Sequence, residues 1–287
     1  MYHSIELTQH HEVIKKYLEK KINIKIYSGS RSLIEVIKYV RKIEKNDEII
    51  INTFRHDFRT IAVITAGFIF GKNINVGIHC ANQFLGREYI GLRKYLKIKE
   101  KSLKNIFKYF LFIVINYLIT WYLKKMAKPF GYISEINKLF LKEKIEISDL
   151  SKYISDPDSN FEIYRGFDSD EKLLIYGRLD DQRISFEKLK KLIKIVSDSE
   201  VELNVLVDSM SDIPKIIQES KKIKIYVEKG YSYEVLGKYI ASCDYIVDIT
   251  NEAKIRRGMN FEQYGKTIMS GMNLDSVIYN KKIIKIN

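Results

Sequence analysis

The chain predicts an α/β fold of two doubly wound domains, and three observations carry that expectation. Short runs rich in Ile and Val alternate with amphipathic stretches through both halves, and such alternation builds parallel sheets covered by helices on both faces. A length of 287 residues is enough for two domains of about 100 to 150 residues each. A charge-rich, loop-like segment, 151–171, with Pro157 and several Asp and Ser residues, separates the two runs. The expected division is therefore a first domain over 1–150, a linker over 151–171 and a second domain over 172–287.

In the first half the apolar runs place strands at 4–7, 22–27, 48–52 and 75–79, with helices over 10–20, 32–45 and 57–70 between them. The second half repeats the scheme with strands at 173–176, 202–207, 223–227, 245–249 and 282–286. Two such domains leave a cleft between them, and open parallel sheets take ligands at the carboxyl ends of their strands. Residues 92–128 interrupt the alternation with one long helical stretch. Its middle, YFLFIVINYLITWYL (109–123), carries no charge and is flanked by lysines on both sides. Fifteen residues of helix reach about 22 Å, short of the roughly 30 Å hydrocarbon core, so the run is not expected to span a membrane. It is either a core helix or an amphipathic helix dipping into a membrane interface, with Asn116 and Thr120 marking a polar stripe.

Composition narrows the partners. The net charge is +13, with 46% hydrophobic residues and only three prolines, so the chain is globular almost throughout. Residues 1–150 hold 27 basic and 14 acidic side chains, whereas 151–287 hold 22 of each. A coding bias toward lysine would act on both halves. The asymmetry therefore points to an anionic partner for the first half, nucleic acid or an anionic membrane surface. Its aromatics cluster in the apolar stretch and not between basic residues, which argues against nucleic acid. The two cysteines, Cys80 and Cys243, lie far apart in apolar surroundings, a reduced usage, and the N-terminus shows no leader-like pattern, so a cytoplasmic protein is expected.

The most telling stretch is LLIYGRLDDQR (173–183): a buried-type run, Gly177 at its end, and Arg178 and Arg183 beyond it. Glycine admits close backbone approach and guanidinium forks match phosphate oxygens, which suits a diphosphate. SFEKLKKLIKIV follows from Ser185, an amphipathic helix with Ser185 as its N-cap and Lys188 in its first turns. Farther on, Gly265, Lys266 and Thr267 could open a helix whose amides face the cleft, with Asp275 about two turns in as an acceptor for a ribose diol. In the first half His79 ends a strand and is the candidate general base or sugar contact. Arg55, His56 and Asp57 form a lesser polar cluster at a comparable strand end. The pairs Asp156/Asp158 and Asp168/Asp170 have a metal-binding spacing, but their loop setting is better explained by turn chemistry, and no metal is expected.

LLIYGRLDDQR resembles the GRLxxxK segment of bacterial glycosyltransferases built from two facing Rossmann-like domains, the B-type fold, with Arg183 where lysine is usual. The end of the chain, DIT (248–250) followed by GKTIMSGMNLDSVIYNKKIIKIN, is similar to the closing motif of capsule and lipopolysaccharide sugar transferases. This resemblance covers roughly residues 170–287. It implies that Arg178 and Arg183 neutralise a donor diphosphate and that Asp275, where glutamate is usual, holds the ribose. Gly230 to Tyr233 matches the base-contacting loop, so Tyr231 would stack on a nucleobase. The glutamate pair spaced by seven residues is missing, since Asn260 stands eight residues after Glu252; Glu262 is the nearest substitute. What the resemblance implies is transfer of a sugar from a nucleoside-diphosphate donor to a glycan or lipid-linked acceptor in surface polysaccharide synthesis, with no further cofactor, at the inner face of the plasma membrane. The alternative is a non-catalytic protein that keeps the fold and supports another transferase.

Overall fold

The computed structural model describes residues 1–5, 12–27, 32–52, 58–99, 101–154, 161–164, 166–168, 170–180, 183–220, 222–257, 259–264, 266 and 271–286. The chain opens with β1 (Tyr2–Ile5), α1 (Glu12–Lys21), β2 (Ile24–Tyr27), α2 (Leu33–Lys42), β3 (Glu48–Ile51), α3 (Phe58–Ile69) and β4 (Asn73–Ile78). It continues through α4 (Ala81–Leu85), α5 (Leu92–Lys99), α6 (Leu103–Met126), β5 (Lys128–Gly131), α7 (Ser134–Lys142) and α8 (Ser151–Ile154). There follow β6 (Phe161–Ile163), β7 (Lys172–Tyr176), α9 (Phe186–Ser197), β8 (Glu202–Val207), α10 (Lys215–Gln218), β9 (Ile223–Val227), α11 (Tyr233–Ser242) and β10 (Tyr245–Asp248). The chain closes with β11 (Ile255–Arg257), β12 (Asn260–Glu262), α12 (Gly271–Tyr279) and β13 (Lys282–Lys285).

Two compact units result: Met1–Asp156 with Arg256–Met269, and Pro157–Ile255 with Ser270–Asn287. The first holds a sheet in the order β2-β1-β3-β4-β5, with every neighbouring pair parallel. The second holds the order β6-β13-β10-β7-β8-β9, again parallel throughout. Both are doubly wound, as the alternation of apolar runs predicts. Strand order reverses between β1 and β3 in the first sheet and between β7 and β10 in the second, and such reversals open crevices at the carboxyl ends of the strands.

The segment expected to be a linker is divided. α8 packs on α1, and the Tyr17 hydroxyl donates to the Ile154 carbonyl, whereas β6 joins the second sheet beside β13. β5 and β6 escape because their sequences, KPFG and FEI, contain no run of Ile and Val. β5 carries Pro129, which an edge strand tolerates because one of its sides needs no donors. The expected single helix over 92–128 is two helices. Ser102 interrupts it as the N-cap of α6, its Oγ accepting from the Asn105 N–H at 3.2 Å.

In the second unit β7 alternates between two apolar layers, as a strand buried on both faces must. Leu173 and Ile175 pack with Leu189, Leu192 and Val196 of α9. Leu174 and Tyr176 turn the other way, toward Leu236 and Ile240 of α11.

α6 has the reverse of the usual surface pattern. Its buried positions are Tyr109, Asn116, Thr120 and Leu123. The Tyr109 hydroxyl donates to the Ile90 carbonyl at 2.8 Å and the Thr120 hydroxyl to the Phe84 carbonyl at 2.8 Å. Facing outward are Leu103, Phe107, Phe110, Leu111, Val114, Ile115, Tyr117, Leu118 and Trp121. The expectation that this helix is too short to cross a bilayer is corrected: it has 24 residues, about 36 Å, and by length and composition it suffices. The fifteen-residue uncharged run understates it because the lysines at both ends are helical too.

Gly77 in β4 is required by close approach. A Cβ there would meet the Tyr132 hydroxyl at 2.5 Å and the Asn52 carbonyl oxygen at 2.6 Å, two atoms that already share a 2.6 Å hydrogen bond. Gly77→Ala is expected to lower stability by about 1–3 kcal/mol, read as a fall in the urea midpoint with an unchanged slope.

Candidate functional site

The reversal between β7 and β10 gathers the groups that matter in the second unit. β7 ends at Tyr176, and Gly177 adopts φ +92°, a conformation that side-chain-bearing residues rarely take. Its N–H donates to the Leu206 carbonyl of β8 at 3.0 Å. Arg178 follows, exposed. The loop then ties itself to the segment beyond β10. Asn251 N–H donates to the Arg183 carbonyl and Ser185 N–H to the Ile249 carbonyl, each at 2.8 Å, and Ile184 pairs antiparallel with Thr250. The two loops at the reversal are thereby joined. Ser185 caps α9 as expected, its Oγ 3.4 Å from the Lys188 N–H.

Arg183 keeps its side chain 35% exposed, with Nε 3.8 Å from an Asp180 carboxylate oxygen; Arg178 belongs to the same loop. Lys188, in the first turn of α9, is 18% exposed and reaches Glu252 at 2.8 Å. Asp248 ends β10 with its carboxyl accepting from the Thr250 N–H at 2.8 Å and from the Thr250 hydroxyl. Burial pushes the Asp248 carboxyl up, while the Thr250 amide and the charges of Lys188 and Lys285 draw it back.

Asp275 has a different setting from the one its spacing implies. It is 3% exposed and lies one turn into α12, where its two oxygens accept from the Tyr176 hydroxyl at 2.5 Å and the Tyr233 hydroxyl at 2.8 Å. A ribose diol would reach it only by displacing a tyrosine. Burial raises its pKa to about 6, partly offset by the two tyrosine hydrogen bonds. Tyr231 packs against the same apolar layer, as do Tyr176 and Tyr233. Beside it, the Gly230 N–H donates to the Asp208 carboxylate.

In the first unit His79 stands just past β4, half-buried, its ring stacked on Tyr132 with centroids 4.8 Å apart. Glu262 is fully buried and caps α4, accepting from the Gln83 N–H at 2.9 Å and the Asn82 N–H at 3.3 Å. It sits on a strap, Arg256–Met269, that belongs to this unit. The strap is held there by hydrogen bonds from the Ile90 N–H to the Met259 carbonyl and from the Phe261 N–H to the Glu88 carbonyl, both 2.8 Å. Lys266 lies in a turn assigned to this strap, and α12 is described from Gly271 onward, with the residues between them outside the described set. Arg55, His56, Asp57, Asp156, Asp158, Gly265 and Thr267 lie outside the described residues. Asp170 occupies a turn at φ +72°, and the Asp168 N–H donates to Glu171 at 2.9 Å.

Three residues escape the sequence reasoning: Tyr176 and Tyr233 as partners of Asp275, and Asp248 at the strand reversal; Lys188 lies in the first turn of α9, as expected. Tyr176 immediately precedes Gly177 and Asp248 ends an apolar run, so both are visible by position. The 99-residue separation of Tyr176 from Asp275 leaves no signal in a single sequence.

No protein-family model matches the chain, and no curated protein matches it. Among solved structures, the UDP-GlcNAc 2-epimerase of Methanocaldococcus jannaschii is similar, at 15% identity over 99% of this chain and 83% of that one, with a TM-score of 0.42. The UDP-GlcNAc 2-epimerase of Neisseria meningitidis, solved with UDP-GlcNAc, has 10% identity over 86% and 77% of the two chains, with a TM-score of 0.38. MurG of Acinetobacter baumannii has 12% identity over 99% and 86%, with a TM-score of 0.34. The two parallel sheets themselves define the class: an α/β protein of two Rossmann-like units.

Two outcomes check these assignments. The pKa of Asp275 is raised from its ordinary 3.8 to about 6 in the folded state, so its contribution to stability is fully present below about pH 4 and lost as pH rises through about 6. Urea titrations should show wild type losing about 3 kcal/mol relative to Asp275→Asn across that window. Glu262→Ala leaves the first amides of α4 buried and unpaired. It should cost about 3 kcal/mol by the same measurement.

Proposed function

We propose that the chain is a glycosyltransferase that moves a sugar from a nucleoside-diphosphate donor to a glycan or lipid-linked acceptor in bacterial surface polysaccharide synthesis. One observation carries the reading: Gly177, in a backbone conformation suited to glycine, sits with Arg178 at the strand-order reversal of a parallel sheet, the place where such sheets take anionic ligands. In this reading Arg178 and Arg183 neutralise the departing diphosphate, and Lys188 adds a third cation from the first turn of α9. His79 receives the proton of the acceptor hydroxyl. Tyr231 lies against the nucleobase, and no cofactor takes part. The work is done at the cytoplasmic face of the plasma membrane.

A second reading, a non-catalytic partner of another transferase, is favoured by a specific observation. The two acids to which the resemblance points are both engaged internally, Asp275 by tyrosines and Glu262 by backbone amides.

Calorimetric titration with a panel of nucleoside diphosphates, followed by nucleotide release from the matching activated sugars, separates the two. A transferase binds one diphosphate and releases it only with an acceptor. A partner protein does neither. Replacing Arg178 and Arg183 together by Ala should weaken diphosphate binding by about 10- to 100-fold with an unchanged circular dichroism spectrum; unaltered binding would remove the diphosphate assignment.

A further inference from the structure

We propose that the outward face of α6 docks flat into one leaflet of an anionic bilayer, with the helix lying along the interface and not crossing it. The inference stands on α6 alone and holds whether or not the chain transfers a sugar.

α6 turns Tyr109, Asn116 and Thr120 inward and nine large apolar side chains outward. Thr120 and Tyr109 hydrogen-bond to carbonyls inside the first unit and Asn116 is buried. From Phe110 to Trp121 the exposed positions are Phe110, Leu111, Val114, Ile115, Tyr117, Leu118 and Trp121, with no charge among them. Water is a poor solvent for such a face, and an uninterrupted apolar stripe of this size marks an interaction surface. On the neighbouring α3, Phe68 and Ile69 are also exposed, at 52% and 70%.

The charges choose the occupant. Lys104 and Lys108 precede the apolar run and Lys124 and Lys125 follow it, all on exposed positions, and the helix carries no acidic residue. Lys97, Lys99 and Lys101 extend the cationic rim at the first end. A second copy of this chain would bring the same cations against these, whereas anionic headgroups complement them. Lys125 lies 4.0 Å over the Trp121 ring, an amphipathic pair suited to the headgroup level.

The packing chooses the orientation. α6 is held along its inner side by α3, α4 and α5, so a crossing helix would have to carry these elements into hydrocarbon. An interfacial helix needs only its outer face immersed, to a depth of about 5–10 Å.

The test uses the full chain with vesicles of phosphatidylcholine, alone or with about 30% phosphatidylglycerol. Flotation should recover at least about tenfold more protein on the anionic vesicles, and serine at Lys104, Lys108, Lys124 and Lys125 together should remove that difference. Trp121 is the single tryptophan, so Trp121→Phe with Val114→Trp places the only indole at the middle of the helix. Its emission should shift to the blue on anionic vesicles and be quenched best by shallow lipid labels. Leu111→Glu with Leu118→Glu should abolish flotation while leaving the circular dichroism spectrum unchanged. Strongest quenching by labels at the bilayer centre would mean a crossing helix and would overturn the proposal. So would an absence of flotation, or a dimer in sedimentation that the two glutamates dissolve while vesicles have no effect.

Discussion

Everything chemical in the second unit depends on the place where β7 and β10 lie side by side and the connections turn in opposite directions. Parallel strands whose connections leave in opposite directions along the sheet, to its opposite faces, leave the end of each strand uncovered, and there loops meet that are distant in sequence. The pairing of residues 183–185 with 249–251 fixes those loops to one another. Arg183, Lys188 and Asp248 thereby acquire defined neighbours that chain position alone would not give them. Gly177 makes the arrangement accessible, because a Cβ at φ +92° would force the backbone away from the turn that starts the loop.

The first unit is governed by a different constraint. Each large apolar side chain left in water forgoes about 1.5–3 kcal/mol relative to burial, and α6 leaves nine of them outside. Its buried positions include Tyr109 and Thr120, so rotating the helix to hide the apolar face would leave the Ile90 and Phe84 carbonyls without these donors. The helix is therefore not a core element caught facing outward. Its orientation is specified from within, and the apolar face is part of the specification.

Much of the architecture was legible because it follows from local rules. Runs such as ELNVLV and IKIYV (202–207 and 223–227) are strands for the reason their composition predicts, and Ser185 caps α9 where the amphipathic period begins. β5 and β6 were not legible, because KPFG and FEI, unlike the equally short edge strand IKIY of β2, carry no run of Ile and Val to detect. The strap over 256–269 was hidden for another reason. Its return to the first unit is fixed by Glu262 on the amides of α4, a contact across about 180 residues, and no local pattern distinguishes a carboxylate that caps a distant helix from one that faces a ligand. The resemblance to transferase motifs led in the same direction. It assigned Asp275 by position, and position does not reveal that Tyr176 and Tyr233 close over it.

That closure bears on how the strand end works. Tyr176 belongs to the layer under α11 and α12, while the residue after it, Gly177, starts the loop toward α9. An anion bound at Gly177 would thus sit next in sequence to a tyrosine whose hydroxyl is held by a buried acid. With its pKa at about 6, Asp275 is mostly ionised near neutral pH, and a second negative charge at the neighbouring turn would favour its protonated form. The tyrosine hydroxyls can adjust to either state, since each can accept as well as donate. Asp275 would therefore influence an anion at the strand end through its charge and not by touching it, since its two oxygens are engaged by Tyr176 and Tyr233, while Arg183 and Lys188 lie along the loop and first turn that lead into α9.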